Sequence, residues 1–167
     1  MDDVRGVVED RGAGDFILGG DWGKPVTGML KGDTSVYLMQ ASCGTDKWNK
    51  PDSNSSLVMD WTKDLSKAKA GVGAFRGYKV LAGKKETGAG DFAAGWAALN
   101  SARAGACAFV RDYHHQWPKA TEVESGKIVV RLWPKYAKGF GGLHWLDDCT
   151  RKAYDLSFRL SPTPIEA

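Results

Sequence analysis

Tyr154-Asp155-Leu156-Ser157-Phe158-Arg159-Leu160, near the C-terminus, alternates apolar and polar residues without a break. Tyr154, Leu156, Phe158 and Leu160 fall on one face of an extended chain, and Asp155, Ser157 and Arg159 on the other. Successive side chains of a β-strand leave the backbone on opposite sides, so a period of two predicts a strand with one buried and one wet face. Residues 127–133 repeat the pattern, with Ile128, Val130 and Leu132 inward. Pro134 ends that strand, since proline has no N–H to give to a ladder. Ser125-Gly126 reads as a turn, across which residues 120–124 pair back as a hairpin.

The same reading extends toward the N-terminus. Residues 35–41 form a nearly continuous apolar run, as expected of a strand buried on both faces. Residues 75–81 alternate weakly between glycine-rich ends. Residues 93–99 and 106–113 form a further pair joined by 100–105, and residues 4–10 and 15–18 open the fold. Short strands at this spacing, punctuated by Gly, Asn, Asp and Pro, predict an all-β sandwich or barrel, of which the antiparallel β-sandwich is the reading taken. One segment departs from this: Trp61, Leu65 and Ala68 recur at helical spacing, with Asp60 placed to cap and Gly71 to stop. It fits either one short helix or a surface excursion between strands. Ser161-Pro162-Thr163-Pro164 suits neither helix nor sheet, so residues 1–160 are read as the sandwich domain and 161–167 as a linker or truncated tail.

Composition narrows the function classes. The 167 residues suit one domain with a core of its own, and 43% apolar with 26% charged residues is a globular mix. The net charge of +3 is spread among acids, with Lys84-Lys85 and the spaced Lys67 and Lys69 as the longest basic runs. Nucleic-acid surfaces concentrate Lys and Arg on one face, so nucleic acid is not expected as a partner. No apolar run is long enough to cross a membrane as a helix, and Met1-Asp2-Asp3-Val4 has no signal-peptide character, so no membrane partner is expected and the compartment stays open. Cys43, Cys107 and Cys149 form no C-x-x-C pair and read as small buried residues. Asn54-Ser55-Ser56 matches the short glycosylation pattern, which is common by chance. The 21 glycines suit many turns, and the seven tryptophans are either core filler or flat faces for a ligand ring.

Residues able to carry chemistry gather in two places. Val110-Arg111-Asp112-Tyr113-His114-His115-Gln116-Trp117-Pro118-Lys119 is predicted as a strand end and the loop after it, with Arg111 and Tyr113 on one face and Asp112 and His114 on the other. Gly141-Gly142-Leu143-His144-Trp145-Leu146-Asp147-Asp148 lies between two predicted strands and holds the third histidine. Adjacent His114 and His115 cannot both face one ion from an extended backbone, and no H-x-x-x-H spacing occurs, so no metal or other cofactor is expected. No serine sits in a G-x-S-x-G turn, and Cys107 lies within a predicted strand. Gly71-Val72-Gly73 precedes a strand and not a helix, which argues against a phosphate loop. The residue types fit β-elimination best: a cation neutralises a sugar carboxylate while a base takes the neighbouring proton. Arg111 and Lys119 supply the first type, and Tyr113, His114 and His115 the second. An ordinary polar sheet edge is the competing reading, and composition alone favours it.

Five segments together resemble a known family: Tyr37-Leu38-Met39-Gln40-Ala41-Ser42-Cys43-Gly44 with Trp48, Phe75-Arg76-Gly77-Tyr78, residues 110–120, Arg131-Leu132-Trp133-Pro134, and Gly142-Leu143-His144-Trp145. Their order is similar to that in the central β-sandwich domain of the exo-rhamnogalacturonan lyase / YetA-like proteins, over residues 4–160. The resemblance implies a supersandwich-like fold flanked in the family by a barrel domain and a helical toroid. It implies an accessory, cleft-forming part of a pectin-active polysaccharide lyase that is not catalytically complete alone. On that basis Arg111, His114, His115, Trp117, Lys119, His144 and Trp145 are the expected contacts to a uronate-containing polysaccharide or oligosaccharide. Two departures from the family pattern stand out: His114-His115 replaces a bulky aromatic or amide, and the later loop lacks the family's Lys-Thr pair before its histidine. A stand-alone carbohydrate-binding module without catalysis is the alternative, and a divergent enzyme using His114 or Tyr113 as base ranks third. The excised-layer reading predicts a large exposed apolar patch where the toroid would dock; the module reading does not.

Overall fold

A computed structural model of the chain describes residues 3–7, 14–21, 24–32, 34–41, 77–132, 134 and 153–166. It is an antiparallel β-sandwich, and no helix occurs among the described residues. The strands are β1 (Asp3–Val7), β2 (Asp15–Leu18), β3 (Val26–Met29), β4 (Val36–Gln40), β5 (Tyr78–Ala82), β6 (Lys85–Gly90), β7 (Trp96–Asn100), β8 (Gly105–Val110), β9 (Lys119–Glu124), β10 (Lys127–Arg131) and β11 (Leu156–Ser161). One sheet has six strands in the order β1-β10-β9-β4-β5-β6; the other has five in the order β11-β8-β7-β2-β3. The helix expected near residues 60–71 lies outside the described residues.

The core lies between the sheets, where alternate residues of the inner strands point inward. The six-stranded sheet contributes Val36, Leu38, Tyr78, Val80, Val123, Ile128 and Val130, and the five-stranded sheet contributes Phe16, Leu18, Ala97, Leu99, Ala106, Ala108 and Val110. Each large aliphatic chain taken fully out of water in this way stabilises by about 1.5–3 kcal/mol. β4 is buried on both faces, as its apolar run predicts: Met39 packs outward with Ala41 and Ala120, beside Tyr37. The hairpin β9–β10 turns at Ser125-Gly126, with Glu124 opposite Lys127, and its inward Ile128, Val130 and Leu132 are buried.

Two strands have no apolar alternation to announce them. β6 reads Lys-Glu-Thr-Gly-Ala-Gly and is largely exposed, and the four-residue β3 is exposed along most of its length. Both are outermost in their sheets, so backbone pairing with one neighbour holds them and burial does not. The turn that returns β6 on β5 is Gly83-Lys84, where Gly83 has φ of 60°, a conformation glycine adopts without a Cβ clash.

β11 corrects the expectation for residues 154–160 in one respect. Tyr154 and Leu156 pack on the core, yet Phe158 is 42% and Leu160 73% exposed. Phe158 pairs with Ala108 and Leu160 with Ala106, both core residues, so the alternation does aim them at the inner side. The strand is the last in its sheet, and its inner side reaches past the rim of the core. Ser161 closes β11, and Ile165 beyond it exchanges two hydrogen bonds of 2.8 Å with the side-chain amide of Asn100.

Candidate functional site

The two ends of the sandwich differ. One carries tight turns at 83–84, 101–104 and 125–126. At the other lie the connections 19–25, 91–95 and 111–118, the exits of β4 and β10, and the entries of β5 and β11. This second end collects most of the polar and aromatic residues with a candidate role, on loops anchored to a rigid frame.

Strand β8 stops at Val110 because the next residues leave the sheet. Asp112 has φ of 52°, in the left-handed region that Asp tolerates better than most side chains, and this turns the chain away. The Gln116 N–H then donates to the Asp112 carbonyl at 3.0 Å, closing the turn. Strand alternation therefore does not govern residues 111–114. Arg111 points to solvent and its Nη1 meets Asp155 Oδ2 at 2.7 Å, while its N–H extends the β8–β11 ladder to the Asp155 carbonyl at 3.0 Å. Tyr113 turns inward and is buried, with its Cβ pressed toward Gly95.

Tyr113 donates its hydroxyl to the Leu38 carbonyl at 3.4 Å and accepts from Thr121 Oγ1 at 3.2 Å. Burial drives its pKa far above the ordinary phenol range, with the Thr121 hydrogen bond opposing and Tyr37 adding a smaller rise. Buried and already bonded to Leu38 and Thr121, this hydroxyl does not face solvent. Lys119 is the first residue of β9, opposite Gln40, and is fully buried. Its Nζ donates to the Gln116 carbonyl and lies 4.4 Å from the centre of the Tyr154 ring. Burial also raises the Tyr154 pKa, to about 12. The Lys119 amine thus has partners in the interior of the fold.

The neighbouring connection 91–95 is fixed from two sides. Buried Gln40 donates through Nε2 to the Asp91 carbonyl and accepts through Oε1 from the Ala93 N–H, each at 2.9 Å. Asp21 Oδ1 accepts from the N–H groups of Asp91 and Phe92, each at 3.1 Å, and its own N–H donates to the Tyr78 hydroxyl at 2.9 Å. These bonds hold Phe92, 40% exposed, with its ring edge-on to His114 at 5.1 Å between centroids. The His114 ring in turn lies 4.0 Å from that of His115. Burial lowers the His114 pKa, and His115 lowers it further, while hydrogen bonding to the Ala93 backbone and the charge of Asp112 act the other way. Phe92, His114 and His115 form one ledge of rings at the loop end, and half-buried Trp117 follows in the same loop.

Compared with known proteins, the chain matches no family model and no curated sequence.

Among the expected site residues, the structure brings His114 and His115 together, pairs Arg111 with Asp155 and buries Lys119. His144 and Trp145 lie outside the described residues. Phe92, Gln40 and Asp21 were missed by sequence reasoning. Phe92 had the one available cue, an aromatic between Gly90-Asp91 and a predicted strand; Asp21 and Gln40 act through tertiary hydrogen bonds that no local pattern announces. No group of three or more His, Cys, Asp or Glu side chains suited to a metal occurs among the described residues.

Proposed function

We propose that this chain is a carbohydrate-contacting β-sandwich domain without a complete active site of its own, and that the loop end is its ligand surface. The ledge of Phe92, His114 and His115 carries this reading: three adjacent rings, partly exposed and beside a connection fixed by hydrogen bonds to Gln40 and Asp21, offer an apolar platform with polar edges. The CH face of a pyranose stacks on such a platform while its hydroxyls meet imidazole nitrogens.

The finer reading is an accessory, cleft-forming layer of a rhamnogalacturonan lyase-like protein, and it is supported by the sequence motifs alone. Its two candidate carboxylate clamps are engaged elsewhere, Arg111 with Asp155 and Lys119 inside the fold. The stand-alone binding module is favoured by a second observation. The large apolar residues exposed on edge strands among the described ones are divided between two edges of one sheet, Met29 on β3 at one and the neighbours Phe158 and Leu160 on β11 at the other, and do not join in one wide patch.

Calorimetric titration with rhamnogalacturonan fragments, with absorbance of unsaturated uronate followed in parallel, tests the proposal. Saturable binding without new absorbance is the expected outcome, with Phe92→Ala weakening it about tenfold, as loss of one stacking contact does. New absorbance would show catalysis and overturn the claim that the site is incomplete.

A further inference from the structure

The ledge carries two imidazoles, and the role inferred for them rests on the loop end being a carbohydrate surface. His115 Nδ1 lies 3.8 Å from Asp112 Oδ1, and its side chain is 69% exposed. With Nδ1 turned toward Asp112, Nε2 is the donor left for a ligand. Few groups face the pair among the described residues. Asp112 comes from the same turn, while the 91–95 connection presents the Phe92 ring edge and the Ala93 backbone to His114. With both rings protonated, two positive charges stand against the one carboxylate of Asp112; with both neutral, only the carboxylate remains. The sign of this surface therefore reverses with pH.

We propose that His115, with His114 beside it, is the carboxylate-binding group of the loop end, so that acidic sugars are held when the pair is protonated and released when it is neutral. Phe92 offers its ring for stacking in either state. A bound carboxylate favours the charged imidazole, so affinity is gained below the imidazole titration and lost as pH rises through it. His114 charges later than an ordinary histidine as pH falls, since burial and His115 both oppose its proton.

The test compares oligogalacturonate with its methyl-esterified counterpart, each titrated calorimetrically at pH 5 and pH 8, where the free carboxylates stay ionised. The acidic sugar is expected to bind about fivefold more tightly at pH 5, the gain from one exposed charge pair, and the ester equally at both values. His115→Gln is expected to abolish the pH dependence and, since one ring of the ledge is lost, to weaken binding of the ester by the same factor at pH 5 and pH 8. Equal affinity for the acidic sugar at both pH values, or a pH dependence that survives His115→Gln, would overturn the proposal while leaving the carbohydrate reading in place. If only the ester binds, the result is the same. If neither sugar binds at either pH, both readings fall.

Discussion

Three tyrosines at the loop end are held protonated by their surroundings. Burial pushes Tyr113 far above the phenol range, Tyr154 up to about 12, and Tyr78 in the same direction. An unfolded chain ionises tyrosine near pH 10. The stability these groups contribute is complete below that value and is lost as pH rises through the folded-state values, so the affected window runs from about 10 to 12 and beyond. Urea denaturation across alkaline pH is expected to show a falling midpoint over that window, and Tyr154→Phe to make the fall shallower. A flat midpoint would contradict the burial of these hydroxyls. Lys119 marks how far one residue's role can be read from its neighbours. Following Trp117-Pro118, it reads as a loop cation, and only the pairing of β9 with β4 turns it inward opposite Gln40.

Among the elements, β11 and β7 make contrasting demands. The amphipathic pattern of residues 154–160 identified a strand, but period alone does not reveal whether it lies at the centre or the rim of a sheet. Leu160→Thr is therefore expected to change stability by less than about 0.5 kcal/mol, as exposed substitutions do. Leu18→Ala, at a fully buried position of β2, is expected to cost about 2–5 kcal/mol in the same denaturation experiment. Comparable losses would mean that β11 is covered after all. At the entry to β7, Gly95 has φ of 81°, and a Cβ there would collide with that of Tyr113. Gly95→Ala is expected to cost about 2 kcal/mol or more through strain and overpacking. Gly32→Ala, at a similar φ of 57° but in open space, is expected to cost less. Equal losses would assign the effect to backbone conformation alone. Edge strands β3 and β6 were illegible for the converse reason: their stability comes from backbone pairing, which leaves no side-chain signature.

At the scale of the whole molecule, the sandwich class was legible because the core strands β4, β8 and β10 carry the apolar pattern that two packed sheets require. The site was legible only in part. The sequence concentrates His114, His115 and Trp117 in one loop, but Phe92 lies in another, and what joins them is the shared end at which both connections cross between sheets. That juxtaposition is the basis for assigning ligand binding to the loop end and not to an outer sheet face. Amide chemical shifts followed by NMR during titration with rhamnogalacturonan oligosaccharides test it directly. Perturbations clustered in residues 91–95 and 111–118 are the predicted result; saturable shifts confined to the opposite end or to an outer sheet face, or no shifts at all, would contradict it.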